Sequence, residues 1–129
     1  MAEPSTDQGR ATLLLVDDND DAREALAYLI EQTGCQVIEA RNGEQALSVL
    51  RQGLRPDLIL LDLMMPGLDG WAFRSEQRKL DGADDVPVVI YSGSPTVEDD
   101  ATELQAAGWL RKPLDFDRLL ELVHQHCRR

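Results

Sequence analysis

Apolar residues in this chain gather into short unbroken runs, each followed by a longer stretch in which they recur every three or four positions. Thr12-Leu13-Leu14-Leu15-Val16, Leu58-Ile59-Leu60-Leu61 and the segment Val86 to Ser92 are too short for helices and too continuous for half-exposed strands. They predict strands buried on both faces, the pattern of a parallel sheet. Pro87 is tolerable only because it stands near the start of its run. Cys35 to Ala40, centred on Val37 and Ile38, and Gly108 to Arg111 complete a set of five.

Helical spacing fills the intervals. Asn19 to Asp21 open the first helix, with Glu24 three after Asp21 as in a capping box. Ala22, Ala25, Leu26, Leu29 and Ile30 predict its buried face, and Gly34 ends it. Asn42-Gly43 leads into a second helix carrying Ala46, Leu47 and Leu50, halted by Gly53 and Pro56. A third runs from Trp71 to Leu80, where Trp71 and Phe73 read as packing residues and Arg74, Arg78 and Lys79 as a solvated basic side. After the loop Asp81 to Asp85 and the fourth strand, Thr96 to Ala107 predicts a helix with Glu98, Asp99 and Asp100 at its positive end. Asp115 caps the last helix, whose stripe is Phe116, Leu119, Leu120, Val123 and Cys127, with Arg128 and Arg129 at its negative end. Strand then helix, repeated five times with short connections, predicts an α/β, doubly wound parallel sheet with helices on both faces. Met1 to Arg10 lacks periodicity and reads as a flexible N-terminal lead-in (1–10) to one domain over 11–127.

Composition narrows the partners. A net charge of −11, from 24 acids against 13 bases, disfavours direct nucleic acid binding and suits a divalent cation or a basic partner surface. No apolar run approaches the roughly 20 residues of a membrane helix, and Met1 to Arg10 has no signal-peptide core, so the expected localisation is cytoplasmic, with no membrane association. Cys35 and Cys127 lack metal-like spacing and read as small packing residues or inert thiols. His124 and His126, two apart on a helix, cannot share a face to hold a metal.

Candidate chemistry appears once the strand ends are aligned. Asp17 and Asp18, Asp62, Ser92 and Lys112 all stand at the carboxyl ends of predicted strands, the edge where open α/β sheets bind ligands. Asp62 alone could simply cap the loop that follows. Three carboxylates in one pocket, however, repel one another unless protonated or neutralised, and Mg2+ is the economical counterion. Lys112 supplies a point charge able to pair with Asp62 or with an added anion, and Ser92 a hydroxyl. A carboxylate nucleophile, a divalent ion, a lysine and a hydroxyl form a set suited to phosphoryl transfer.

The stretches Leu14-Leu15-Val16-Asp17-Asp18, Leu60-Leu61-Asp62-Leu63-Met64-Met65-Pro66-Gly67-Leu68-Asp69-Gly70, Tyr91-Ser92-Gly93 and Lys112-Pro113 closely resemble the receiver domain of two-component response regulators, over about residues 11 to 127. The resemblance implies a five-stranded sheet in order 2-1-3-4-5 with five helices, the flavodoxin-like arrangement for which a chemotaxis receiver is a standard example. It implies that Asp62 is the phosphoacceptor, taking a phosphoryl group from a phosphohistidine of a sensor histidine kinase or phosphotransfer protein. Mg2+, or Mn2+, would be held by Asp18, Asp62 and the Met64 backbone carbonyl, and by Asp17 mainly through water. Lys112 would hold a phosphoryl oxygen, Ser92 would swing to take another, and Trp109 would turn inward as the switch aromatic. The bond before Pro113 is cis in this family. The chain would not be an enzyme beyond its own phosphorylation and slow dephosphorylation, slow because Met64 cannot orient water. It would act on an unknown downstream protein, as a monomer or a phosphorylation-dependent dimer.

Departures from the family pattern are Trp109 in place of Tyr or Phe, and Gly108 directly before it, which implies a shortened last loop. Two rival readings are a docking module of the same fold that signals without phosphorylation, and a phosphohydrolase of the haloacid dehalogenase type. The latter wants Asp-x-Asp-x-Thr or Val on the first strand, where Asp18-Asn19-Asp20-Asp21-Ala22 ends in alanine.

Overall fold

The computed structural model describes residues 10–64 and 69–127. Ten elements alternate along the chain: β1 (Thr12–Val16), α1 (Asp20–Glu31), β2 (Gln36–Ala40), α2 (Gly43–Arg51), β3 (Leu58–Asp62), α3 (Gly70–Gln77), β4 (Val88–Ser92), α4 (Val97–Leu104), β5 (Gly108–Arg111) and α5 (Phe116–His126). The strands form one parallel sheet in the order β2-β1-β3-β4-β5. The expected class, strand order and element count all hold.

Period-two alternation divides the apolar runs between two cores. Leu14, Val16, Ile59, Leu61, Val88 and Ile90 face α2, α3 and α4, meeting Leu47, Phe73 and Leu104. Their strand neighbours Leu13, Leu15, Leu58, Leu60 and Val89 face α1 and α5, meeting Leu26, Ile30 and Leu119. All five residues of β3 and of β4 are buried, which is why those strands carry no alternation of polarity.

Several local expectations need correction. The cap of α1 is Asn19, whose side chain accepts from the Ala22 amide at 2.9 Å, so the Asp21 and Glu24 capping box does not form. Its buried stripe is Arg23, Leu26, Ala27 and Ile30, while Ala22, Ala25 and Leu29 reach solvent because the apolar arc of the helix is wider than the sheet it covers. On α5 the buried residues are Leu119, Leu122 and Val123, and Phe116 is 51% exposed. Arg74 and Arg78 are not a free basic side: both donate to the Leu104 carbonyl at 3.0 Å, satisfying the open end of α4.

That end comes earlier than predicted. α4 stops at Leu104 because Gln105 takes a left-handed conformation (φ 55°), a geometry usually left to glycine. Residues 105–107 then connect to β5, which opens on Gly108 and Trp109. Arg10 donates to the Gly34 carbonyl at 3.3 Å, anchoring the final residue of the expected lead-in. The rest of that segment, the Met65-Pro66-Gly67-Leu68 part of the loop after β3, and Arg128 and Arg129 lie outside the described residues.

Candidate functional site

Parallel register carries the ends of β1, β3, β4 and β5 to one edge of the sheet. Val16 pairs with Leu61, Asp62 with Tyr91 and Ser92 with Arg111, so Asp17, Asp62, Ser92 and Lys112 emerge side by side. Asp17, Asp18 and Asp62 each offer a carboxylate oxygen within 4.8 Å of the others, and among the described residues this is the one acidic, histidine or cysteine cluster so compact. The structure therefore brings together the acids expected from the strand ends.

Each side chain is held in a specific way. Asp62 is 1% exposed; one oxygen accepts the Met64 amide at 2.9 Å and the other the Lys112 ammonium at 3.1 Å. Burial pushes its carboxyl above the ordinary value, and the Asp17 charge adds to this, while the Met64 amide and Lys112 oppose it without cancelling it. Asp17, also buried, accepts the Asn19 amide at 2.9 Å through one oxygen and the Tyr91 hydroxyl at 2.6 Å through the other. Asp18 is exposed. A hard cation suits this set: charged oxygens that converge, two of them buried, with a solvent-facing third side.

Ser92 is fully buried, and its oxygen accepts the Ser94 amide at 3.0 Å. Trp109 is half-buried, packed against the core on the α2, α3 and α4 side, with the Arg111 guanidinium 5.3 Å above its ring centre. Lys112 and Pro113 are joined by a cis peptide bond, as the resemblance implied. Trp71, read as a packing residue, is 39% exposed and donates to Glu103 at 2.6 Å; Phe73 is fully buried.

Two residues of the site escaped the sequence reading. Tyr91 counted only as an apolar strand residue, yet its phenol is the buried partner of Asp17, and burial together with that bond keeps its proton in place. Lys112 lies 5.1 Å from its ring centre, so one residue touches both an acid and the lysine of the pocket. Arg23 is the second: it donates to the Asp17 carbonyl, to Glu39 and to Asp20, each at 2.9 Å, fixing the backbone between β1 and α1. A cation one helical turn after an acid pair was the available signal.

The acids and Lys112 open into a groove of about 590 Å³ whose further wall is apolar: Ala22, Ala25 and Leu29 of α1 with Met64, Leu114 and Phe116. Ala22, Ala25, Leu29 and Phe116 are the residues of the α1 and α5 stripes that the sheet leaves uncovered.

The family model described as response regulator receiver domain matches residues 13–124. The chain is 32% identical to sporulation initiation phosphotransferase F of Bacillus subtilis, across 88% of this chain and 91% of that protein. It is 37% identical to the nitrate/nitrite response regulator protein NarL of Escherichia coli (strain K12) across 93% of its length, but spans only 56% of NarL. The crystal structure of the response regulator protein TrrA from Thermotoga maritima in complex with Mg2+-BeF matches with a TM-score of 0.78 at 30% identity, covering 89% of this chain and 97% of that one. Because the family match begins inside β1 and ends inside α5, it reaches all five strands and every residue of the acid pocket, and the chain belongs to the response regulator receiver domain family.

Proposed function

We propose that Asp62 accepts a phosphoryl group from a phosphohistidine on a sensor histidine kinase or phosphotransfer protein, and that the added charge switches binding to a further protein. The observation that carries this reading is the Asp62 carboxylate itself: buried, oriented by Met64 and Lys112, and crowded by two other acids at the carboxyl edge of the sheet. A structural aspartate would gain nothing from such neighbours. The proposed domain covers residues 11–127, with 1–10 preceding it.

Asp17, Asp18, Asp62 and the Met64 carbonyl would hold Mg2+ or Mn2+, which when bound supplies positive charge to the phosphoryl oxygens. An Asp62 oxygen attacks phosphorus in line, the bond from phosphorus to the imidazole nitrogen breaks, and the imidazole leaves with the electron pair. Lys112 then turns from the carboxylate to a phosphoryl oxygen, its charge now offsetting the added group. Ser92 reaches another oxygen by giving up its bond to the Ser94 amide, and Trp109 leaves its contact with Arg111 as it turns inward. The apolar wall formed by Ala22, Ala25, Leu29 and Phe116 is a surface on which the phosphodonor protein can rest while its histidine meets Asp62.

Acid-labile phosphate incorporation from a small phosphodonor, measured with and without Mg2+ on the native chain and on Asp62→Asn, tests the reading. Stoichiometric, Mg2+-dependent labelling lost in Asp62→Asn is the expected result. A folded chain that takes up no label is instead a docking module, and turnover of phosphate esters would indicate a phosphohydrolase.

A further inference from the structure

Cys35 and Cys127 stand far apart in sequence, one just before β2 and the other at the cap that ends α5. The fold brings them together at the amino edge of the sheet, opposite the acid pocket. Both line one cavity of about 240 Å³ with Gly34, Val123 and His124. Cys35 is 3% exposed and Cys127 half-buried, and both are free thiols. Cys35 belongs to the core cluster on the α1 and α5 side and Cys127 packs against that cluster, while the Cys35 thiol faces the Gln36 carbonyl at 3.7 Å.

We propose that Cys35 and Cys127 are a reversible redox pair that closes to an intramolecular disulfide when the protein meets a peroxide. The reactive partner is Cys35. The neighbouring Cys127 thiol pulls its thiol below the ordinary value, with help from Arg10 and against burial and the Asp57 carboxylate, while Cys127 is correspondingly pushed up. His124 is the other titratable group lining the cavity.

The chemistry balances in two steps. The Cys35 thiolate attacks one peroxide oxygen, a sulfur–oxygen bond forms, the oxygen–oxygen bond breaks and the departing hydroxide takes a proton to become water. Cys127 then attacks the Cys35 sulfenic acid, the disulfide forms, and the hydroxyl leaves as a second water with the Cys127 proton. Two thiols lose two electrons and the peroxide gains them. The link ties the last turn of α5 to the start of β2 and closes most of the chain into a loop, so it restricts the unfolded state strongly.

Hydrogen peroxide added to the reductant-free native chain, followed by intact mass and a non-reducing peptide map, tests this. The expected product is a monomer that has lost two hydrogens, shows one peptide pair linked through Cys35 and Cys127, melts several degrees higher and reverts with dithiothreitol. In Cys127→Ser, dimedone should trap a sulfenic acid at Cys35, and in Cys35→Ala no link should form. Because the pair lies at the edge opposite Asp62, labelling of Asp62 should be the same in oxidised and reduced protein. Thiols that stay unmodified in the folded chain but react in urea would overturn the assignment. So would a single cysteine driven to sulfinic acid without a link, or links formed only between chains.

Discussion

β3 carries an aspartate at each end, and the two do opposite things. Asp57, just before the strand, accepts the Thr12 amide at 2.8 Å and so closes the start of the β1 and β3 pair. Asp62, at the other end, also accepts a backbone amide, that of Met64, but it is buried beside Asp17 and Asp18, where its charge is a cost. The residue type is the same and the strand is the same. What differs is the company: each accepts a backbone amide, but only Asp62 is crowded by two other carboxylates. A charge crowded in this way is the one that gains most from a cation among its neighbours.

The sharpest way to break this contrast is to neutralise each aspartate. Asp62→Asn should abolish acid-labile labelling, whereas Asp57→Asn should retain it in full; equal losses would mean that labelling reports folding and not the site. Next in size is the response to metal. At a Mg2+ concentration 100 times its dissociation constant the native chain should gain about 2.7 kcal/mol of stability in urea unfolding, and Asp17→Asn should lose most of that gain while Asp57→Asn keeps it.

Tyr91→Phe tests how the buried acids are tolerated. It strips Asp17 of a donor at 2.6 Å, and leaving a buried charged acceptor unpaired should cost about 2 kcal/mol in the metal-free protein; an unchanged denaturation midpoint would show that water replaces the phenol. A smaller effect is expected at Met64, which is 64% exposed beside Asp62. Met64→Asn, able to orient water, should shorten the phosphoryl lifetime several-fold, and an unchanged decay would remove the side chain from hydrolysis.

The smallest signal is in pH. The Asp62 carboxyl is raised by burial, so the metal-free folded state holds its proton to a higher pH than the unfolded chain does. Stability should therefore fall as pH rises from the unfolded to the folded value, with the cost absent below that window and complete above it. Asp62→Asn should flatten that part of the stability curve and leave the metal-free protein more stable at neutral pH. A slope that survives the substitution would belong to another group.

Much of the site was legible because its residues sit at strand ends, and strand ends are marked locally. An apolar run that stops at an acid, a serine or a lysine announces both the element and the edge, which is how Asp17, Asp18, Asp62, Ser92 and Lys112 could be named together. Faces of helices were read less well. Ala22, Ala25 and Leu29 have the spacing of a buried stripe, but burial depends on where the sheet ends, and the sheet covers only the Leu26, Ala27 and Ile30 side. Arg74 and Arg78 looked solvated because their acceptors, the last carbonyls of α4, come some thirty positions later and become available only once Gln105 ends that helix.

The order of strands and helices, the burial of β3 and β4 and the family membership were determined by the sequence alone, since each rests on runs and motifs within a few consecutive residues. The pairing of Tyr91 with Asp17, the anchoring of Arg23 and the meeting of Cys35 with Cys127 were decided only by tertiary structure. The physical reason is common to all three. A hydrogen bond or a thiol contact depends on ångström-scale distances between side chains, and the sheet register and helix packing that bring such groups together are properties of the whole fold.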